Sequence, residues 1–410
     1  MKHAPKLDKT FIPFGVWREA YLAGAEQPIA IAVEREGGKV SVHHTKIYGT
    51  KEMLDADYRY VERYVKFLLW SIGGFRVSIC GCSDIAAKLK AAYTPEGERH
   101  FDHEFVGQLY ERELEVLDLP LEACPAANEC AQPMGGHTDG CRIGFDAGGS
   151  DRKVSAVIDG ECVYSEEVVW FPKLQEDPDY HYGHIVEAFK TAASKMPRVD
   201  AIGDVPIVVA NDGDVSALAG AMGLGVGNIM GIAMGTSEAV GYVDRDKNVL
   251  GWLNELAFAP VDLQAGAMQD EWSTDYGVGC KYFSQDAVIK LAPFAGIELD
   301  PALSPAEKLK VVQSLMAEDD PRAAAIYETI GAYLAYTVVL YNQFYDIEHM
   351  MMLGRVMSGK GGDIILSVCN DILKDEFPAL AKKLEVMLPD EKTRRVGQSV
   401  AAATLPEIKK

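Results

Sequence analysis

From Pro28 the chain alternates between apolar and polar runs in a way that predicts a hairpin. Ile29 to Val33 is apolar, Glu36 to Gly38 supplies the turn, and Val40 to Ile47 returns. Tyr58, Val61, Tyr64, Val65, Leu68 and Leu69 then fall on a helical period that ends at Gly73-Gly74. Arg59, Arg63 and Lys66 lie on the same helix and predict a solvated face. Phe75 to Cys80 reads as a third strand, and Ser83 to Tyr93 and His103 to Leu117 read as helices. Pro120 to Asp139 has no period and is rich in Pro, Gly, Ala and Cys, which predicts a domain boundary there.

A second start follows. Cys141 to Phe145 predicts a strand, Gly148-Gly149 a turn, Val154 to Ile158 a second strand, and Cys162 to Phe171 a third. Gly183 to Met196 has helical spacing. Val199 to Ile202 and Ile207 to Ala210 read as short strands around Val205-Pro206. The helix Val215 to Met222 and the strand Ile229 to Met234 come next. Further on, a helix is expected from Ala323 to Tyr345, a strand from Met350 to Leu353 and a helix from Ile364 to Leu373. Strands alternating with helices predict an α/β fold with mixed sheets. Val215 to Ser237 is uncharged, but Gly220, Gly223, Gly225, Gly227, Gly231 and Gly235 punctuate it. That density fits a buried helix, a turn and a buried strand better than a membrane span.

Charge changes the picture of partners. The 410 residues include 40 Lys plus Arg against 61 Asp plus Glu, a formal charge of -21. A field of that sign repels nucleic acid and anionic membrane surfaces, so neither is an expected partner. Met1 to Phe14 has no apolar core of a secretory signal, and eight cysteines are spread along the chain, so a cytoplasmic location is expected. Cys124, Cys130, His137 and Cys141 have gaps that match no common zinc template. They read as unligated thiols, with a structural metal as the alternative.

Four segments carry candidate chemistry. Asp146-Ala147-Gly148-Gly149-Ser150-Asp151-Arg152-Lys153 joins two predicted strands. Its glycines let backbone amides approach phosphate oxygens, and Asp146 suits a magnesium ion held through water; an ordinary hairpin turn reads the same way. Asn211-Asp212 heads the Val215 helix, where a carboxylate could take a proton from a hydroxyl, or the pair could be an N-cap. Gly235-Thr236-Ser237 follows a strand and offers a second phosphate cradle or a tight turn. Gly354, with Gly359, Gly361 and Gly362 beyond it, is a glycine turn before a helix, which suits a nucleotide.

In this order the segments resemble the phosphate-1, connecting, phosphate-2 and adenosine motifs of the actin-like ATPase superfamily. The run Ile143 to Lys153, Asn211-Asp212 with Ala217-Leu218-Ala219, and Leu253-Asn254-Glu255-Leu256-Ala257-Phe258 are similar to the ROK family of sugar kinases and repressors. The resemblance covers roughly 141–410. It implies two RNase H-like lobes, 141–228 and 229–390, with a terminal helix near 391–404 returning to the first and an additional N-terminal α/β domain at 1–140. That extra domain reads as a structural or homodimer-forming module, with a lid as the alternative.

The resemblance further implies ATP- and magnesium-dependent phosphoryl transfer to the hydroxyl of a sugar-like substrate or polyol. Asp212 would be the base and Asp146 the magnesium-side carboxylate. Gly148, Gly149, Ser150, Lys153, Gly235, Thr236, Ser237, Gly354 and Gly361 would meet the nucleotide, and Asn211 and Glu255 the sugar. The alternative is a non-catalytic sugar- or nucleotide-binding sensor on the same fold. Several departures bear on that choice. The family's Gly-His is Ala257-Phe258 here, and its cysteine-rich zinc segment is reduced to Gly279-Cys280-Lys281-Tyr282, so no zinc of the family type is expected. Glu238 follows the phosphate-2 turn, where phosphate oxygens should lie. Arg355 stands in place of a second glycine, and the connection at 203–206 is several dozen residues shorter than the family's.

Overall fold

The computed structural model describes residues 1–149, 151–200, 207–389 and 391–408. The chain opens with helix α1 (Phe14–Leu22) and the expected hairpin, β1 (Gln27–Glu34) and β2 (Val40–Ile47), whose turn holds Gly37 and Gly38 at φ of 68° and 70°. Helix α2 (Leu54–Ser71), β3 (Arg76–Cys80), α3 (Ser83–Ala92), α4 (His100–Tyr110) and β4 (Glu115–Leu119) follow. The strands form one sheet in the order β2-β1-β3-β4. The helix expected through Leu117 therefore stops early. Glu111 adopts the left-handed conformation at φ 51°, and the chain re-enters as β4, parallel to β3.

Helix α2 corrects a second expectation. Arg63 and Lys66 are not solvated; Lys66 is 0% exposed. Its ammonium lies 2.9 Å from Asp102 and 2.9 Å from Asp275, while Arg63 pairs with Glu62 at 2.6 Å and Asp275 at 3.0 Å. Arg99 completes the cluster against Glu62 at 2.6 Å and Asp275 at 2.8 Å. Burial alone would raise the Asp275 pKa, but Arg63, Lys66 and Arg99 outweigh it and hold that carboxyl far below its usual range. Arg59 turns back to donate to the Leu263 carbonyl.

Two compact units emerge, and their boundaries differ from the expected 1–140, 141–228 and 229–390. One comprises Met1–Ala131, Leu250–Tyr345 and Val356–Lys382; the other Gln132–Val249, Asp346–Arg355 and Lys383–Lys410. The first is tied across the sequence by backbone bonds. Leu253, Asn254 and Glu255 donate to Ile72, Ser71 and Trp70 at the end of α2, and Phe14 donates to Val261. The N-terminal segment thus shares its core with 250–345.

The second unit holds two sheets. The first consists of β6 (Cys141–Ala147), β7 (Asp151–Ile158) and β8 (Glu161–Val169), antiparallel throughout; the two-residue β5 (Gln132–Pro133) belongs to the other. Helix α5 (Pro178–Ala193), N-capped by Asp177, packs Ala188 and Ala192 on Ile143, Val154 and Ala156. The strand expected at Ile207–Ala210 does not form. Ile207 is 65% and Val209 92% exposed, and the sheet ends at β6. A strand needs a hydrogen-bonded neighbour, and apolar content alone does not provide one. Val199 and Asp200 are not in a strand either, and the 203–206 connection lies outside the described residues.

Helix α6 (Asp212–Leu224) leads to β9 (Ile229–Met234), β10 (Glu238–Val243) and β11 (Asn248–Val249), so the uncharged stretch is a buried helix, a turn and a buried strand. In the first unit come α7 (Gln285–Leu291), α8 (Pro305–Ala317) and α9 (Pro321–Tyr341). By length and composition α9 could cross a membrane, but 89% of its apolar window is buried inside the protein. Strand β12 (His349–Leu353), helix α10 (Lys360–Glu376), the short α11 (Pro378–Ala381), β13 (Glu385–Met387) and α12 (Glu391–Ala403) end the chain. The second sheet runs β13-β12-β9-β10-β11-β5. β9, β10 and β11 are antiparallel, and β12 and β13 add in parallel. Helix α12 returns to the first sheet, where Ser399 Oγ lies 2.6 Å from Ser155 Oγ and a Cβ on Gly144 would stand 1.6 Å from the Ser399 carbonyl.

Lys290 on α7 is the buried charge that a pH experiment can read. Its ammonium sits 3.7 Å from the Tyr282 ring centre and has no hydrogen-bond partner among the described residues. Burial lowers its pKa to about 8, against the pull of Asp8 and Asp262. Between about pH 8 and the ordinary lysine value of 10.5 the unfolded chain binds more protons, so stability rises with pH across that window. Urea midpoints of the wild type should gain on those of Lys290→Met from pH 8 to 10, by on the order of 2 kcal/mol in unfolding free energy. A pH-independent difference between the two would sink the assignment.

Candidate functional site

Four stretches of the second unit meet at the ends of its sheets. Asp146 stands on β6 directly opposite Lys153 on β7. The Lys153 ammonium lies 3.8 Å from Asp146 and 3.8 Å from Asp151. The turn between them is tight. A Cβ on Gly148 would come 2.5 Å from the Asp151 carbonyl, and the Trp170 indole donates to the Gly148 carbonyl at 2.5 Å. Gly149 sits in the same turn, while Ser150 lies outside the described residues.

Asp212 is placed by helix α6. Asn211 is the N-cap, its side-chain oxygen accepting from the Gly213 amide at 2.8 Å, and Asp212 Oδ1 accepts from the same amide at 2.9 Å. The N-cap reading holds for Asn211, and Asp212 is exposed at the first turn. The helix can lie here because glycine faces glycine. A Cβ on Gly213 would be 2.1 Å from the Val240 carbonyl, and one on Gly241 would be 2.0 Å from the Gly213 carbonyl. The sequence shows the glycines but not that these two meet.

Gly235-Thr236-Ser237 is the β9–β10 hairpin. The Gly235 amide donates to the Ser237 carbonyl at 3.0 Å, which closes the turn and leaves Thr236 and Ser237 as its exposed part. Glu238, expected among phosphate oxygens, heads β10 instead and is 3% exposed. Gly354 packs beside this hairpin at φ 92°, where a Cβ would be 2.3 Å from the Met234 carbonyl. Arg355, read as a departure from the motif, donates to Asp151 at 2.7 Å. It joins the turn after β12 to the turn after β6.

Two expected residues lie in the other unit. Gly361 is buried in α10, where a Cβ would come 2.5 Å from the Tyr327 ring, so its missing side chain serves helix packing. Glu255 bonds through its backbone to Trp70 and precedes the short turn Leu256–Phe258. Phe258, read as a departure from the resembled motif, packs its ring 4.6 Å from Trp70. In the segment that resembles the zinc site, the Lys281 ammonium is surrounded by Asp270 at 3.5 Å, Asp286 at 2.7 Å and Glu271.

The electrostatics of the site are those of crowded carboxylates. Burial raises the Asp146 pKa, Asp212, Asp151 and Glu167 raise it further, and Lys153 opposes them. Hard oxygen donors of this kind fit magnesium, which would relieve their repulsion and needs few protein ligands. Among the described residues no group of three or more His, Cys, Asp or Glu side chains is arranged as a metal cage. Asp146 and Asp212 share a cavity of about 340 Å³.

No protein-family model matches the chain, and no curated protein matches it. Solved structures do. A ROK family transcriptional regulator, a homolog of the E. coli Mlc protein, aligns with a TM-score of 0.51 at 16% identity, over 65% of this chain and 78% of its own. The ROK family glucokinase of Streptomyces griseus, in complex with glucose and AMPPNP, covers 65% of this chain and 99% of its own at 16% identity and a TM-score of 0.47. The ROK hexokinase of Thermus thermophilus covers 64% and 97%, at 16% identity and 0.49. The likeness to the regulator carries the fold and nothing of the activity. The chain is ROK-like in fold and divergent in sequence, an α/β protein with several sheets.

The glycine seat of α6 can be tested directly. Gly241→Ala should lower unfolding free energy by about 2 kcal/mol or more, because backbone and not a flexible side chain must move. Gly183→Ala, on α5 with nothing within 4 Å, should be neutral or stabilise by up to about 1 kcal/mol. Equal urea midpoints for the two variants would contradict the seat.

Proposed function

We propose that the chain is a cytoplasmic kinase that uses ATP and magnesium to phosphorylate a hydroxyl of a sugar-like or polyol acceptor. The observation that supports this most is the convergence of Asp146 and Asp212, from different elements, on one cavity that reaches Ala147 at the start of the β6–β7 turn. Asp212 takes the proton of the acceptor hydroxyl from its exposed place at the start of α6. Asp146 holds the cation side of the site, with Lys153 and Arg355 limiting the negative charge around Asp151. The backbone of Gly148 and Gly149, with Thr236 and Ser237, faces the phosphates, and Gly354 keeps the turn after β12 close to them. Magnesium bound here supplies charge neutralisation for the transferred phosphoryl group.

A second reading, a non-catalytic sensor of sugar or nucleotide, has one observation in its favour: Phe258, a departure from the resembled sugar-contacting segment, packs its ring on Trp70. The readings separate in a coupled assay of ADP release across a hexose and polyol panel. The kinase reading expects acceptor-dependent ADP release that Asp212→Asn lowers by roughly 10²- to 10⁴-fold, with Mg-ATP binding retained in calorimetry. Full activity in Asp212→Asn would remove that residue as the base. Ligand-dependent thermal stabilisation without ADP release from any acceptor would favour the sensor.

A further inference from the structure

The cavity shared by Asp146 and Asp212 has unusual walls for a sugar pocket. Free hexoses expose hydroxyls around the whole ring and call for convergent polar groups. Apart from Gln398 and the two aspartates, every described residue that lines this cavity is apolar or glycine. Phe145 and Phe189 form one side, and Ile207, Val208 and Val209 form another. The last three are also exposed, at 65%, 45% and 92%, so consecutive apolar side chains stand open at the cavity. The cause is architectural. The sheet stops at β6, and 207–210 runs past it as irregular chain, leaving a space of about 340 Å³ between them.

Carboxylates at one end and apolar walls elsewhere describe an amphipathic ligand. Resting on the kinase reading for the role of Asp212, we propose that the acceptor is a hydroxyl compound bearing an apolar group, of the alkyl or aryl glycoside class, and not a free hexose. Its hydroxyl lies at Asp212 and its apolar group fills the space between β6, α5 and 207–210. In the transfer the hydroxyl proton passes to the Asp212 carboxylate and the acceptor oxygen bonds to the γ-phosphorus of ATP. The bond from that phosphorus to the β–γ bridging oxygen breaks, ADP leaves, and Asp212 later releases the proton to water.

The test uses the full chain with glucose, mannose and N-acetylglucosamine, each free and as its phenyl glycoside. Binding is measured by calorimetry and ADP release by a coupled assay, with Mg-ATP binding measured separately. At least one phenyl glycoside is expected to bind tenfold or more tightly than its free hexose and to show a correspondingly lower KM. Val208→Asp should remove that preference and leave Mg-ATP affinity within twofold. Free hexoses binding as well as their glycosides, or no binding by either, overturns the inference. Phosphorylation of a free hexose without glycoside preference overturns it too but leaves the kinase reading standing. Glycoside binding that depends on Val208, without Mg-ATP binding or ADP release, upholds the cavity's ligand class and removes the kinase reading.

Discussion

Helix α6 lies against β10 so closely that neither Gly213 nor Gly241 could carry a side chain. The rest of the second unit is arranged around that contact. On one face the helix sets Ala217 and Ala221 against Ile229, Val243 and Met351 of the second sheet. On another it sets Val215, Leu218 and Ala219 against Ala401 and Leu405 at the end of the chain, where α12 crosses the first sheet. A helix buried on both sides joins two sheets that share no strand. Because its first turn is pinned to the Val240 carbonyl, Asp212 is held near Asp146 at one cavity.

Charge is handled in two different ways in this molecule. In the first unit Arg63, Lys66 and Arg99 are buried with Glu62, Asp102 and Asp275, three cations against three carboxylates, each within hydrogen-bonding distance of a partner. Such a cluster holds elements together, since losing one member strands the others without solvent. In the second unit Lys153 lies near Asp146 and Asp151, Arg355 pairs with Asp151, and burial with the neighbouring carboxylates raises the Asp146 pKa. Carboxylates crowded into a concave site carry a cost in mutual repulsion that the paired cluster of the first unit does not.

The hairpin at 29–47, helix α2, the β6–β7 turn and the α6–β9 run were all legible, because each is specified by its own periodicity or by glycines at its own turn. So was the order of the four glycine- and aspartate-bearing segments. What was not legible depended on partners distant in sequence. The end of the helix expected from His103 to Leu117 becomes part of β4 because β3 offers a parallel edge. Arg63 and Lys66 look like a solvated face until Asp275, more than two hundred residues away, closes over them. Ile207–Ala210 looks like a strand but has no neighbour to pair with. Gly361 looks like part of a nucleotide turn, yet it is the close approach of Tyr327 that requires it.

By itself, then, the sequence determined which local elements form, how the chain turns between them, and which carboxylates and glycines stand at the turns. Those features follow from side-chain period, backbone freedom and capping within a few residues. Only the tertiary structure decided that Asp146 and Asp212 face one cavity, that Arg355 reaches Asp151, and that the cavity walls are apolar. Each of these depends on two elements coming together, on a backbone-to-backbone contact in one case and on a missing strand in another. Such meetings are set by packing between distant segments, and no local pattern records them.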